Sequence, residues 1–238
     1  MQIIPAIDLR EGACSRIFGD GVAAHAIYSK DPLQQVLLLK DAGARCVHIT
    51  DLDGAFSGHI CNLHVIKEIA TFSTVDIQHY GGVRTLHDVE TLISLGVKRV
   101  VLSAAMQRDS QMVAEAVGLY GDRVLAGLDG RDSMTVSEGF ETVVRTTIQR
   151  QIEMLREAGM KRILYTDLRR TGALKGPNFD GIEGIIKCAG MEILVAGGIA
   201  TLEAVARLKA MGAAGAIIGK AIYTGAVDLA EAIKEADA

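Results

Sequence analysis

The chain has 238 residues, 49% of them hydrophobic, and a formal charge of −4 with lysines and arginines scattered singly. That length and apolar content suffice for one large core, single α/β barrels run to about this size, and the mildly acidic balance offers no electrostatic footprint for nucleic acid or an anionic membrane. With no apolar run near the roughly 18 residues of a membrane helix, no leader pattern after Met1, and four cysteines lacking disulfide or zinc spacing, a cytoplasmic protein with a small soluble ligand and no metal is expected.

In chain order, QIIPAIDL (2–9) reads as a first strand bearing Asp8, followed by the helical period of DPLQQVLLLKDAGA (31–44). RCVHITDL (45–52) is a second strand with Thr50 and Asp51 near its end, and VDIQHY (75–80) a third, leading into Gly81-Gly82 and the helix TLHDVETLISLGV (85–97). KRVVLS (98–103) and RVLAGLD (123–129) supply the fourth and fifth strands, the latter ending in Asp129. TIQRQIEMLREAGM (147–160) is helical, KRILYTDL (161–168) is a sixth strand carrying Thr166 and Asp167, and EILVAGG (192–198) a seventh ending in Gly197-Gly198. After the helix TLEAVARLKAMGA (201–213), AGAIIG (214–219) is the eighth, ending in Gly219 before Lys220. Alternating strands and helices imply a parallel sheet, and the absence of a Pro-rich or Ser-rich linker predicts one domain over residues 1–238.

The chain repeats itself. YGGVRTLHDVETLISLGVKRVVLSAA (80–105) returns as AGGIATLEAVARLKAMGAAGAIIGKA (196–221), with Gly81 to Gly197 and Gly96 to Gly212 both 116 positions apart. AGARCVHITDL (42–52) returns as AGMKRILYTDL (158–168) at the same offset, and AIDLRE (6–11) is echoed by GLDGRD (127–132). Two four-stranded halves close most naturally into an α/β (βα)8 TIM barrel built from duplicated half-barrels, with functional groups at the C-terminal ends of its strands; an open doubly wound sheet explains the echo less well.

Each half ends a strand in a Gly-Gly pair followed by a helix-start threonine, Thr85 or Thr201, and Gly219-Lys220 follows the eighth strand. Glycine admits a ligand to the backbone and helix-start amides stabilise an anion, so two phosphate cups are expected on either side of the mouth, for a ligand with a phosphate at each end. Its centre then meets Asp8 and Asp129, opposite carboxylates suited to acid and base work. Asp51 and Asp167 form a second repeated acidic pair, for which loop orientation and direct chemistry are equally open. His79, at the end of the third strand, is a candidate ligand contact; the other histidines read as surface or satisfied core residues.

At this point IIPAIDLREGACSRI (3–17), VHITDLDGAFSG (47–58), GGVRTLHDV (81–89), YTDLRRTGALKGPN (165–178), VAGGIATLEAV (195–205) and IIGKAIYTGAVDLAEAI (217–233) together resemble the phosphoribosylformimino-5-aminoimidazole carboxamide ribotide isomerases of histidine biosynthesis, along the whole chain and in order. The resemblance implies a cofactor-free Amadori rearrangement of a substrate with two phosphoribosyl groups. By the same resemblance Asp8 is the base, Asp129 an acid/base partner and Thr166 the sixth-strand threonine. Arg16, Gly81, Gly82, Arg84, Ser103, Phe140, Gly176, Gly197, Gly198, Gly219 and Lys220 fall on substrate or phosphate contacts. A monomer without nucleic-acid or membrane partners is expected.

The chain also departs from the pattern of these isomerases. Tyr80 replaces the first glycine of a triple-glycine run, where its ring either narrows the first cup or points away. Ser103 and Ala104 stand where the second half has Gly219 and Lys220, Phe140 where relatives have tryptophan, and Thr171 where relatives have a carboxylate with a general-acid role. A related phosphoribosyl-amine isomerase of the tryptophan branch, the cyclase twin with a glutaminase partner, and a binding barrel that has lost catalysis are the competing readings.

Overall fold

A computed structural model describes residues 1–17, 25–104, 106–131, 134–137 and 142–238. The first half of the chain runs β1 (Gln2–Arg10), β2 (Ala13–Ile17), β3 (His25–Ser29), α1 (Pro32–Asp41), β4 (Cys46–Asp51), α2 (Leu52–Ser57), α3 (Leu63–Phe72), β5 (Asp76–Tyr80), α4 (Leu86–Ser94), β6 (Arg99–Leu102) and α5 (Ser110–Tyr120). The second runs β7 (Val124–Arg131), β8 (Met134–Ser137), β9 (Thr142–Thr147), α6 (Ile148–Glu157), β10 (Arg162–Asp167), α7 (Phe179–Ala189), β11 (Glu192–Ala196), α8 (Leu202–Ala210), β12 (Gly215–Ile218), α9 (Lys220–Tyr223) and α10 (Leu229–Asp237).

Eight strands, β1, β4, β5, β6, β7, β10, β11 and β12, pair in parallel in that order, and β12 returns to β1, closing a TIM barrel ringed by helices. These are the eight apolar runs of the sequence. The pairing repeats register for register: Asp8 lies opposite Thr50 as Asp129 lies opposite Thr166, and Cys46 to Thr50 meet Asp76 to Tyr80 as Arg162 to Thr166 meet Glu192 to Ala196. The sequence pattern did not reveal the two antiparallel hairpins, β2–β3 and β8–β9. Their strands are short and carry little apolar alternation, and they are held by the projecting ends of β1 and β7, where Asp8 pairs with Ser15 and Asp129 with Val136.

Strand parity divides the core into two layers. Outward residues such as Ile7, Ile49, Ile77, Ile163 and Val195 pack on the apolar stripes of the helices, for instance Val89 and Leu92 of α4 and Val205 and Leu208 of α8. Inward residues Ile4, Ala6, Cys46, Tyr80, Val101, Leu125, Leu164, Leu194 and Ile217 fill the barrel. Below Tyr80 the filling turns polar: Gln78 Nε2 lies 3.0 Å from His48 Nδ1, and Arg99 donates to Gln2 Oε1 and Cys46 Sγ, both at 3.1 Å. Burial pushes His48 down to about 3, so it is a neutral member of this plug. Among the described residues no helix is long and apolar enough to cross a membrane.

Candidate active site

The mouth of the barrel is set by the C-terminal ends of its strands. β1 and β7 stand four strands apart around the ring, so Asp8 and Asp129 face the mouth from opposite walls, each beside a threonine in the next strand. Their surroundings differ. Asp8 is half-buried, whereas Asp129 is only 4% exposed, with Oδ2 accepting from the Tyr80 hydroxyl. Burial pushes the Asp129 carboxyl up to about 6, against the opposing pull of the Tyr80 and Thr166 hydroxyls.

Tyr80 takes the second of the two courses expected for it, pointing away from the first cup, and it has a partner there. It belongs to the inward parity of β5, and its ring extends into the barrel toward Asp129. His79, on the opposite parity, lies buried outside the ring with Nε2 2.8 Å from the Gly81 carbonyl oxygen, which corrects its expected position as a ligand contact. A buried neutral imidazole holding a loop carbonyl is a structural element, and burial lowers its tendency to take a proton.

Two matched glycines let the loops after β5 and β11 lie against the neighbouring strand ends. Gly81 (φ 106°) and Gly197 (φ 107°) adopt a left-handed backbone, and a Cβ on them would lie 2.3 Å from the Asp51 carbonyl oxygen and 2.6 Å from that of Asp167. In the first half, Asp51 organises the loop beneath: Oδ1 accepts from Gly54 N (2.9 Å) and Asn62 Nδ2 (2.7 Å), and Oδ2 from Cys61 N (2.7 Å) and Asn62 N (3.0 Å). All four lone-pair directions are used within the protein, so loop orientation is the role of this carboxylate. Gly82 packs on the His59 carbonyl, the Arg84 guanidinium lies over Gly58, and Ser103 Oγ donates to Val83 O at 2.7 Å, tying the loops after β5 and β6 together. Thr85 caps α4 in a reciprocal capping box with Asp88.

In the second half, Gly198 packs on the Gly176 carbonyl, Thr201 caps α8, and Gly219 stands directly before α9. Lys220, the first residue of α9, donates from Nζ to the Gly172 carbonyl at 2.9 Å, drawing the loop after β10 toward Gly219. In that loop the Thr171 hydroxyl donates to the Asp167 carbonyl at 3.0 Å and so caps the backbone. Asp167 accepts from the Arg169 amide at 3.0 Å. Tyr223 donates from its hydroxyl to Ala6 O (3.0 Å) and meets Tyr28 of β3 in a tilted ring contact, 4.5 Å between centroids.

Arg16 contributes its backbone to β2 opposite Ala26, and Phe140 lies outside the described residues. Among the described residues no group of three or more His, Cys, Asp or Glu is arranged around a metal site. What the sequence reading missed is the reach of Tyr80 to Asp129. The signal lay in the internal repeat: Tyr80 faces Ala196 at the matched position, and Gly127 faces Ala6, a large-for-small exchange compensated by a small-for-large one.

The profile of the histidine biosynthesis protein family matches residues 2–228. The chain is similar to the 1-(5-phosphoribosyl)-5-((5-phosphoribosylamino)methylideneamino)imidazole-4-carboxamide isomerase of Pelotomaculum thermopropionicum, 41% identical over 237 residues, covering 98% of this chain and 91% of that protein. It is also similar to the isomerases of the same name from Desulforamulus reducens, 41% identical over 98% of this chain and 96% of that protein, and Thermoanaerobacter pseudethanolicus, 36% identical over 99% and 100%.

Proposed function

The chain belongs to the histidine biosynthesis protein family, and from that premise we infer that it is the aldose-ketose isomerase acting on the bis-phosphoribosyl aminoimidazole carboxamide intermediate of histidine biosynthesis. The reaction is an internal oxidoreduction. A proton delivered to the ribose ring oxygen breaks the C1–O bond while the nitrogen lone pair forms a C1=N Schiff base. A base then takes the C2 proton, the electrons move to give an enolamine, and tautomerisation leaves a C2 ketone and a reduced C1. C2 loses the two electrons that C1 gains, so no external oxidant enters the balance.

We assign Asp129 as the group that opens the ring and Asp8 as the base at C2, with Thr166 beside Asp129. The observation that carries this assignment is the unlike environment of two carboxylates facing one another from matched strands: one is buried and holds its proton near pH 6, the other is half-open. One terminal phosphate goes to Gly197, Gly198, Gly219 and Lys220, with Gly176 beneath; the other goes to Gly81, Gly82, Arg84 and Ser103. Arg16 and Phe140 belong to the substrate contacts by family likeness. We further propose that the enzyme works in the cytoplasm and as a monomer, the latter because among the described residues the large exposed apolar side chains Ile27, Leu38, Phe56, Phe72, Leu119 and Leu174 are dispersed over several elements.

Steady-state turnover of the bisphosphorylated intermediate by wild type, Asp8→Asn and Thr171→Asp tests the reading. Turnover in wild type that falls by at least about a thousandfold in Asp8→Asn is expected, the loss typical of removing an essential base. An inactive wild type that gains turnover in Thr171→Asp would instead identify a barrel that kept its ligand site and lost its acid.

A further inference from the structure

The two carboxylates at the mouth occupy matched positions in strands that pair in the same register, yet Asp129 is buried and Asp8 half-buried. The difference traces to one pair of side-chain exchanges. Tyr80 on β5 reaches past β6 to Asp129 on β7; its counterpart beside Asp8 is Ala196 on β11. The ring has room because position 127 is glycine: a Cβ there would stand 3.3 Å from Tyr80 Cε2 and Cζ and 3.0 Å from Val101 Cγ1. The position matching Gly127 in the other half is Ala6, where no ring has to pass.

We propose that Tyr80 is a positioning residue for Asp129: its ring shields the carboxyl from water and its hydroxyl holds Oδ2, so that of two matched carboxylates one enters the reaction as proton donor and the other as acceptor. This rests on the isomerase reading above. The hydroxyl is a fixed donor at neutral pH, because burial and then the neighbouring Asp129 charge push Tyr80 well above its ordinary value. Oδ2 accepts this hydroxyl, and the Thr166 hydroxyl is the second protein donor to the carboxyl.

Among the described residues the titratable and polar groups facing Asp129 are Tyr80 from β5, Thr166 from β10 and, across the mouth, Asp8 from β1. His48 of β4 lies behind the Tyr80 ring, 6.3 Å between centroids, and is neutral. Among the described residues no lysine or arginine is paired with Asp129. The two halves of the Tyr80 contact act in opposite directions: the ring favours the protonated carboxyl by excluding water, and the hydroxyl favours the carboxylate.

That opposition makes the test decisive. The Asp129 carboxyl is titrated by carbon NMR in ligand-free protein labelled at aspartate, with assignment by Asp129→Asn, for wild type, Tyr80→Phe and Tyr80→Ala. Tyr80→Phe keeps the cover and removes the donor, so the midpoint should rise by about one to two pH units, the equivalent of a hydrogen bond to a charged group. Tyr80→Ala admits water, so the midpoint should fall toward the ordinary carboxylate range. The alkaline limb of kcat/KM should move with the midpoint in each variant. A midpoint unchanged in Tyr80→Phe, or moved the same way by both substitutions, overturns the proposal. If Tyr80→Ala does not fold, the sign of the Tyr80→Phe shift alone decides. The titration needs no turnover, so an enzyme inactive on the isomerase substrate counts against that reading and leaves the Tyr80 result standing.

Discussion

Identical substitutions at the two repeated acidic positions, Asp51→Asn and Asp167→Asn, should have unequal costs. Asp51 is fully buried and receives four N–H donors, two on each oxygen, at 2.7 to 3.0 Å. Whichever way an asparagine amide is turned, its NH2 faces two donors, so two hydrogen bonds to a charged acceptor are lost, at about 1.5 to 3 kcal/mol each. The sum is about 3 to 6 kcal/mol. For a chain of this size 1 kcal/mol moves Tm by about 2 to 4 °C, which places the fall near 15 °C. Asp167 accepts only from the Arg169 amide among the described residues, and the asparagine oxygen can keep that bond, so its Tm should move by only about 2 to 4 °C. Thermal unfolding followed by circular dichroism at one pH reads both. Equal shifts in the two variants, or an Asp51→Asn protein melting within a few degrees of wild type, would refute the claim that Asp51 is the organiser of the first loop.

Asp129→Asn should remove turnover and yet stabilise the protein at neutral pH. The folded carboxyl titrates at about 6 against about 3.9 in an unfolded chain, so both states hold the proton below pH 4, the unfolded state gains by ionising between about 4 and 6, and above that the fold bears a constant cost of about 3 kcal/mol. Melts at pH 4 and 7.5 should therefore show a gain only at the higher pH; a gain equal at both values would mean that the carboxyl is not perturbed. Lys220→Met should raise KM for the bisphosphorylated substrate about 10- to 100-fold while kcat changes far less, the signature of a lost phosphate contact, and steady-state kinetics separate the two.

Much of this arrangement was legible because the chain carries its own comparison. Asp8 with Asp129, Gly81 with Gly197, and Thr85 with Thr201 were each found twice at matched spacing, and closing the ring brought them to one end. Local spacing does not encode how far a side chain reaches across strands, so Tyr80 was read as a feature of the cup beside it in sequence instead of the carboxylate two strands away. His79 was misplaced for a related reason: neighbouring strand residues face opposite sides, and a one-residue difference in parity exchanges mouth for outer wall. The hairpins escaped because their strands draw stability from the ends of β1 and β7 and carry little apolar alternation of their own.

The pairing of β1 with β12 has a consequence for how the chain is made. Gln2 to Pro5 find their partners in Gly215 to Ile218, and Tyr223 reaches Ala6 across 217 positions, so the first strand emerges from the ribosome long before the last. At ordinary elongation rates of about 5 to 20 residues per second the wait is about 10 to 40 s, with one border of β1 open to any passing strand. The β2 hairpin, formed from nearby residues, occupies the upper stretch from Asp8 to Arg10 at once, and Pro5 withdraws an amide donor from the rest. The Gly219 and Lys220 side of the mouth exists only after the ring closes, so a nascent chain short of its final turn of sequence has no complete site in it.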